Sequence, residues 1–505
     1  MSSTERARTA ILLAVGAMLL TAPRLLFHEL FRDEAWLWLV ALESHSLSDL
    51  FSELSRSGQG YLFPVLCWIA AKLSTAPQAM QAVNLGIVGA GAYVFGRWAP
   101  FRKTERVLLV LGYYFFYEYA VISRHYAVGV LLTGLACVAA RRPSVIGLGA
   151  ALGLLCQTTV YGYIVAVAIA TGFLLDRWRL RHEPTPISRR DAVVGAALAL
   201  TGAVAGMVQL IPEPGTSFAV GWRLGWDPAQ ALAILQMPWH GFFPLPRLQL
   251  EFWNNDLLAP WPLRQAAAGV ATLVLAMIIL WPRKLALAVF GIGGLGLLLF
   301  GYAKYIGMWR HHGHWWLLFV AAIWLAGGLG SEKCRRTYRE HLLLALLILQ
   351  CVTMVFASWM DLRHPFSNGG RTAEFIRLHG LDRYPLLGYR EPPAASVALA
   401  LGKPLYAPSR DVFSTHTDWG PLQRDVSPAE LRCSARQLAR REAQDIVLVM
   451  NSELPPWPEI KAEGSQVGAI LGTENYFLYR LSYAALEETA GDAACIVETQ
   501  RSPAP

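Results

Sequence analysis

Apolar residues run in long blocks through the first 359 residues of the chain. A helix needs about 20 apolar residues to cross a bilayer, so the shorter blocks predict short or tilted spans. The predicted spanning helices cover residues 9–27, 79–97, 105–122, 124–140, 143–158, 159–178, 190–211, 264–281, 284–303, 313–330 and 339–359. The stretch from Tyr61 to Leu73 is short and contains Pro64. We predict that it lies in the outer leaflet or half-inserts, and a true span is the alternative.

The composition agrees with about 11 spans. Of 505 residues, 54% are hydrophobic and 16% are charged, against about 25% charged in soluble domains. These values exclude an ordinary soluble enzyme and a long disordered protein. The net charge is +8, and basic residues cluster between predicted spans. If those loops face the cytoplasm, the N-terminus is inside and the C-terminus outside. The positive charge therefore reflects orientation, and it does not argue for a nucleic-acid partner.

Residues 360–505 differ from the rest, with 15 Lys and Arg against 18 Asp and Glu. Their pattern predicts an extracytoplasmic mixed α/β domain that follows a membrane domain, 1–359, with outer loops 28–78 and 212–263. The predicted strands are Tyr384–Tyr389, Asp445–Met450 and Tyr476–Leu481, and the predicted helices are Thr372–His379, Ala394–Leu401 and Pro428–Ala443. Cys433 and Cys495 could pair in an oxidising compartment, and two free thiols are the alternative.

Acidic residues at predicted span ends are the first candidate site, because charge is costly in a bilayer. Asp33 and Glu34 follow the first span, and Trp36 and Trp38 come next. A carboxylate held near low-dielectric surface can act as a general base. The alternative is an interfacial anchor with an aromatic belt.

Glu118 lies near the outer end of the third predicted span, and Arg124 and His125 follow closely. No other acid occurs between Glu105 and Asp176. A catalytic or ligand-binding role is one interpretation, because both acid sites face the same side. The other is a structural Glu118–Arg124 ion pair buried between helices.

A basic cluster, Lys304 to His314, lies between the ninth and tenth predicted spans and contains Arg310, His311 and His312. It faces outward in the predicted topology, against the positive-inside rule, so it is a candidate phosphate site. An interfacial belt is the alternative. A metal site is less favoured, because His-His-x-His is not a usual ligand spacing. The outer loop 212–262 is long and rich in Trp, which suits a functional loop.

These residues resemble the GT-C superfamily, integral-membrane glycosyltransferases that use polyprenyl-phosphate sugars. The family includes protein mannosyltransferases and lipid A aminoarabinose transferases. The resemblance covers roughly residues 9–210. It rests on the acidic pair after the first span, the second acidic motif at Glu118, and the stretch Arg124-His-Tyr-Ala that opens the next span. Where relatives often have His or Lys before a Pro-Pro-Leu return to the membrane, this chain has Arg56, Gln59 and a single Pro64.

The resemblance implies a transferase that moves a sugar from a polyprenyl-phosphate donor to a glycan, lipid or protein acceptor. Asp33 would be the base, Glu34 its support, and Glu118 would position Arg124 or help to bind a divalent cation. The donor phosphate would bind Arg124, Tyr126, Arg310, His311 and His312, with Arg56 and Gln59 replacing the relatives' basic residue. A transporter or flippase of lipid-linked saccharides, or a non-catalytic assembly partner, is the alternative. A transporter would place its charges at mid-membrane, whereas these lie at helix ends.

Overall fold

The computed structural model describes residues 3–180, 182, 187–219, 221–330 and 335–488. The α-helices are α1 (Ser3–Phe27), α2 (Arg32–Glu43), α3 (Leu47–Ser55), α4 (Leu62–Ala71), α5 (Gln78–Trp98), α6 (Lys103–Val110), α7 (Tyr126–Arg141), α8 (Val145–Leu155), α9 (Val160–Arg179), α10 (Arg189–Leu210), α11 (Pro228–Ile234), α12 (Met237–Phe242), α13 (Pro262–Leu280), α14 (Lys284–Ala303), α15 (Trp309–Leu325), α16 (Tyr338–Arg363), α17 (Gly369–Leu378), α18 (Glu391–Leu401), α19 (Pro428–Glu442) and α20 (Tyr483–Glu488). The strands are β1 (Leu386–Tyr389), β2 (Leu405–Ala407), β3 (Val412–Ser414), β4 (Ile446–Met450), β5 (Ile460–Gln466) and β6 (Tyr476–Leu481).

The chain divides into two compact units. The membrane unit consists of residues 1–27, 47–213 and 219–362, and the C-terminal unit of residues 28–46, 214–218 and 363–505. The sequence predicted residues 28–78 to be one loop of the membrane domain. The structure instead groups 28–46 with the C-terminal residues, because helix α2 packs against α18.

Seven of the described helices in the membrane unit are long and apolar enough to cross a bilayer: α1, α5, α9, α10, α13, α14 and α16. Helices α4, α7 and α8 are apolar but shorter. Large apolar side chains such as Leu19 of α1 and Leu200 of α10 are exposed, as a lipid-facing surface requires. The protein is therefore a multi-pass α-helical membrane protein, and the count of 11 spans stays a prediction.

The predicted span 105–122 is wrong as a continuous helix. Helix α6 ends at Val110, and a π-helical turn covers Tyr114–Glu118. The widened turn is closed by the Tyr119 N–H, which donates to the Tyr114 carbonyl (3.0 Å). Such single π-turns are frequent at functional sites. Hydropathy alone cannot detect this break, because all five residues of the turn are buried, as they would be in a packed helix.

Helices α8 and α10 approach each other closely at glycines. A Cβ added at Gly149 would lie 2.0 Å from the Gly195 carbonyl oxygen, and one at Gly202 would lie 2.2 Å from the Gly153 Cα. Small residues allow this backbone approach, which drives helix association in membranes. The short α8 is therefore held by packing against the longer α10.

The C-terminal unit is built on a sheet with strand order β3-β2-β1-β4-β6-β5, in which β1 is parallel to β2 and β4. Alternate residues of β4 face opposite sides. Ile446 and Leu448 pack in the apolar layer that includes Leu438 of α19, and Val447 in the layer that includes Ile376 of α17. The predicted mixed α/β domain is confirmed, and each predicted strand and helix overlaps an observed one. Cys433 is disulfide-bonded, and Cys495 lies outside the described residues.

Candidate functional site

Glu118 is the centre of a buried polar cluster in the membrane unit. Glu118 is the last residue of the π-helical turn, and its side chain is fully buried. The Tyr113 hydroxyl donates to Glu118 Oε2 (2.8 Å), and the Trp253 indole N–H donates to the same oxygen (3.0 Å). Burial of a carboxyl is tolerated when its oxygens accept hydrogen bonds. Trp253 comes from the long loop between α10 and α13, so the loop is tied to the turn through Glu118.

Arg310 extends this cluster from the start of α15. Its guanidinium lies over the Trp253 ring, 5.4 Å from the centroid, which is a cation–π distance. The Tyr119 hydroxyl donates to the Arg310 carbonyl (2.7 Å) and so fixes the backbone there. One tryptophan therefore contacts Glu118 with its N–H and Arg310 with its ring face.

Arg124 lies in the same part of the membrane unit. It is largely buried, and its Nη2 donates to the Gln59 side-chain oxygen (3.0 Å). Both Arg124 and Arg310 act electrostatically on the buried His125. Tyr126, two residues after Arg124, stacks on Tyr119, whose hydroxyl donates to the Arg310 carbonyl. Arg56 instead pairs with Glu53 (3.5 Å). Of the two residues predicted to replace the relatives' basic residue, Gln59 contacts a predicted phosphate ligand, Arg124.

Tyr126 and His311 are brought together by their hydrogen bond (3.1 Å). The Met308 N–H donates to His311 Nδ1 (2.8 Å) at the start of α15, so this nitrogen is the acceptor. A neutral imidazole has its proton on the other nitrogen. His311 Nε2 therefore donates to the Tyr126 oxygen, and the histidine joins α15 to α7.

His312 belongs to a second buried chain. Its Nε2 donates to the Ile306 carbonyl (3.0 Å), and its Nδ1 lies 3.0 Å from His240 Nδ1. His240 Nε2 in turn lies 2.8 Å from Asp256 Oδ2. A neutral His312 that donates through Nε2 accepts the His240 Nδ1–H at its own Nδ1. Both ring nitrogens of His312 are therefore engaged within the protein.

The Asp256 carboxyl contacts two polar side chains, His240 and Gln265. Burial raises its pKa, but the contacts with His240 and Gln265 outweigh burial, and the pKa lies below its usual value. The Gln265 side-chain N–H donates to Asp256 Oδ2 (2.8 Å). One Asp256 oxygen therefore joins His240 of α12 to Gln265 of α13.

The predicted acidic pair is in the C-terminal unit, near the start of α2. Glu34 is fully buried, lies 3.1 Å from His28 Nε2 and accepts the Phe31 N–H (3.4 Å). The Asp33 side chain is 26% exposed and lies 3.9 Å from the Arg32 Nε. Adjacent acids therefore have different environments: Glu34 is enclosed by donors, whereas Asp33 is accessible.

Trp36 and Trp38 do not form the interfacial belt considered from the sequence. Both side chains are buried in the C-terminal unit, and the Trp36 indole N–H donates to the Thr417 carbonyl (2.8 Å). The tryptophans fix α2 within the unit, so the aromatic-belt interpretation of this segment is wrong.

The divalent cation suggested for Glu118 finds no ligand set in the described part of the chain. Within those residues, no group of three or more His, Cys, Asp or Glu side chains could hold a metal ion. The oxygen of Glu118 that faces Tyr113 and Trp253 is already an acceptor. We therefore assign no step to a cation.

Sequence reasoning missed the partners that define the cluster. Tyr113 is five residues from Glu118, but the aromatic run around it gives no sign of which ring donates. Trp253, His240 and Asp256 were noted only as parts of a Trp-rich loop. The available signal was the mixture of polar and aromatic residues in this loop. The contact between Trp253 and Glu118, 135 residues apart, could not be identified from the sequence.

Comparison with known proteins gives limited information. No family model matches the chain, and no curated protein matches it. Among solved structures, the chain is similar to ArnT from Cupriavidus metallidurans bound to undecaprenyl phosphate. The alignment covers 93% of this chain and 97% of that one, with 12% sequence identity and a TM-score of 0.44. This similarity does not assign the chain to a family.

Proposed function

We propose that this protein is a membrane glycosyltransferase that moves a sugar from a polyprenyl-phosphate donor to an acceptor hydroxyl, with inversion at the anomeric carbon. The observation that carries the proposal is the cluster in the membrane unit. Glu118 and Arg310, two of the residues predicted for the site, contact the same Trp253, and both Arg124 and Arg310 act electrostatically on His125.

The charge of this cluster suits the proposed donor. A polyprenyl-phosphate sugar carries one negative charge, and the departing polyprenyl phosphate gains a second. Arg124 and Arg310 both act electrostatically on His125 and supply two cations to this part of the membrane unit. Guanidinium groups bind phosphate oxygens through paired, charge-assisted hydrogen bonds. Neutralising the charge that develops on a leaving group is a large source of catalysis.

Asp33 suits the role of general base better than its neighbour. A base needs an oxygen that the acceptor hydroxyl can reach. Asp33 is partly exposed, whereas both the burial of Glu34 and its contacts with His28 and Phe31 restrict access. We assign Glu34 the structural task of fixing the start of α2, which supports Asp33 indirectly.

The proposed reaction is a single displacement. Asp33 accepts the proton of the acceptor hydroxyl, and the acceptor oxygen attacks the anomeric carbon. The bond between that carbon and the phosphate oxygen breaks, and the electron pair leaves with the polyprenyl phosphate. Phosphate is a good leaving group, so no acid catalyst is required. One carboxylate base fits inversion, whereas a retaining mechanism uses a pair of carboxyl groups.

The proposed location is a bacterial inner membrane, with the N-terminus in the cytoplasm and the C-terminal unit outside. This orientation follows from the basic loops of the sequence. The donor would then lie in the outer leaflet, and no nucleotide would be needed.

The test uses Asp33→Asn and Glu118→Gln in cells that lack the native chain. Glu105→Gln is the matched control, because Glu105 is a buried carboxyl of the membrane unit that pairs with Arg336, outside the proposed motifs. We expect both test variants to reach the membrane at normal levels and to lose one envelope glycan or glycolipid product by mass spectrometry. An unchanged product profile in both variants would refute the proposal that the protein is a glycosyltransferase.

Lipid binding and product formation by the purified protein distinguish a transferase from a transporter. A transferase without its base leaves the donor unused while the donor still binds, so undecaprenyl phosphate should bind purified Asp33→Asn as it binds the native protein. Arg124→Ala and Arg310→Ala should weaken that binding. A transporter would form no transferred product when the purified native protein is given donor and acceptor, whereas a transferase would form it.

A further inference from the structure

Helix α2, which contains Asp33 and Glu34, begins without a side-chain cap of its own. The first N–H groups of a helix need acceptors outside the helix, and Ser, Thr, Asp or Asn usually supplies one. The N-cap residue here is Phe31, in an extended conformation, and it has no side-chain oxygen. The acceptors must therefore come from elsewhere.

One acceptor comes from a residue distant in sequence. The Arg32 N–H, the first of α2, donates to Glu474 Oε1 (3.0 Å). Glu34 supplies the other acceptor by receiving the Phe31 N–H (3.4 Å). A carboxyl at a helix N-terminus also interacts favourably with the positive end of the helix dipole.

Glu474 is itself fixed on several sides. It is fully buried, and it ends a short 3-10 turn, Gly472–Glu474, that leads into β6. Its second carboxyl oxygen accepts the Ser396 hydroxyl of α18 (2.9 Å), and its carbonyl accepts the Asn368 N–H (3.1 Å). The position of Glu474 is therefore determined by α18 and by the residues before α17.

The same helix α18 packs against α2. Ala35 and Leu39 of α2 contact Ala395 and Leu399 of α18 in a small apolar cluster. Ser396, which holds Glu474, follows Ala395 directly. The apolar contact fixes how α2 lies on α18, and the Glu474 hydrogen bond fixes where α2 begins.

We propose that Glu474 is a positioning residue for the acidic pair, through which the C-terminal unit sets the place of Asp33. The proposal rests on the proposed function, because Asp33 matters only if it is the base. It also gives the C-terminal unit a task within the reaction. Asp33 is the residue after Arg32, so a shift of the Arg32 N–H moves Asp33 with it.

The charge around Glu474 supports a fixed carboxyl at this position. Arg32 and Tyr476 are the charged or titratable side chains that act on it, and the Ser367 and Ser396 hydroxyls donate to it. Burial raises the pKa of Glu474 to about 7. In either form an oxygen accepts the Arg32 N–H, while the protonated form can donate to a serine oxygen. An amide side chain could make the same two contacts.

The test compares Glu474→Ala with Glu474→Gln in the full-length protein in nanodiscs. Loss of a helix cap destabilises the start of the helix, so its first amides should exchange faster. We therefore expect deuterium exchange at residues 32–35 to rise about tenfold in the alanine variant and to stay near native in the glutamine variant. Glu430→Ala is the matched control, because Glu430 accepts the Ser427 N–H at the start of α19 (2.7 Å). It should speed exchange in α19 and leave α2 unchanged.

Product formation in cells completes the test. Glu474→Ala should lower the product about tenfold at normal membrane level, as expected for a displaced catalytic group, while Glu474→Gln restores it and Glu430→Ala leaves it unchanged. Native exchange in α2 of Glu474→Ala would overturn the proposal, and so would fast exchange with normal product. If Asp33→Asn forms normal product while α2 exchanges fast in Glu474→Ala, the proposed function fails and the capping contact stands.

Discussion

The ionisation of Glu474 should make the stability of the C-terminal unit depend on pH. The carboxyl has a pKa of about 7 in the folded unit against 4.5 when unfolded, because it is fully buried. Between these values the unfolded chain has lost the proton that the folded chain keeps. The stability that the protonated Glu474 carboxyl contributes to the folded unit is therefore fully present below about pH 4.5, and it is lost as the pH rises through about 7.

The magnitude follows from the size of the shift. A difference of about 2.5 pH units, at about 1.4 kcal/mol per unit, is about 3 kcal/mol of unfolding free energy. Glu430 and Glu459 shift the other way, each to about 2. Hydrogen bonds to Arg424 lower the pKa of Glu430, and for Glu459 those to two arginines outweigh burial. Their contributions are lost below about pH 4.5, outside the window of Glu474.

The measurement is urea unfolding of the full-length protein in nanodiscs, read by pulse proteolysis of the C-terminal unit at pH values from 4.5 to 8. Glu474→Gln keeps the hydrogen bonds but cannot ionise, so the difference between native protein and variant isolates this one group. We expect that difference to change by about 3 kcal/mol across the window, with the native protein losing stability as the pH rises. A difference that stays constant with pH would refute the reasoning.

Three further predictions concern the packing, the Glu118 cluster and a buried ion pair. Gly202→Leu should cost about 1–3 kcal/mol and lower the melting temperature in detergent, because a Cβ there meets backbone, whereas Gly86→Ala has open space and should melt normally. Trp253→Phe removes the N–H donated to Glu118 and should lower product formation about tenfold, measured in cells. Glu459→Gln should shift the urea midpoint down by the equivalent of about 2 kcal/mol, because its buried carboxylate binds two arginines.

Elements with strong periodicity could be predicted from the sequence. Long apolar runs gave most of the membrane helices within a few residues, as α10 at Arg189–Leu210 illustrates. The continuous apolar run of β4 predicted a strand, and all five of its residues are buried. Strands β2, β3 and β5 escaped prediction, because two have three residues each and β5 is polar and largely exposed.

Contacts between distant residues could not be predicted. The apolar pattern around Glu118 is the same for a helix and for a π-turn, and the indole that donates to Glu118 lies far along the chain. Helix α2 was not expected to join the C-terminal unit, because nothing in residues 28–46 identifies Glu474 as the acceptor for its first N–H. The pattern of a single sequence indicates which residues are buried, but it does not indicate which buried residues contact each other.

Burial separates the three acids to which the resemblance assigned different roles. Asp33, Glu34 and Glu118 all fit the description of a carboxylate at a helix end, and residue type offers no way to rank them. Glu34 and Glu118 are fully buried, and their oxygens accept hydrogen bonds from the backbone, a tyrosine or a tryptophan. Such carboxylates order the structure around them, because removing a donor or acceptor leaves a costly buried partner. Asp33 keeps a partly exposed side chain on a helix whose start is fixed by Glu474. A general base requires both access to the acceptor and a fixed position, and of these three acids Asp33 alone combines them.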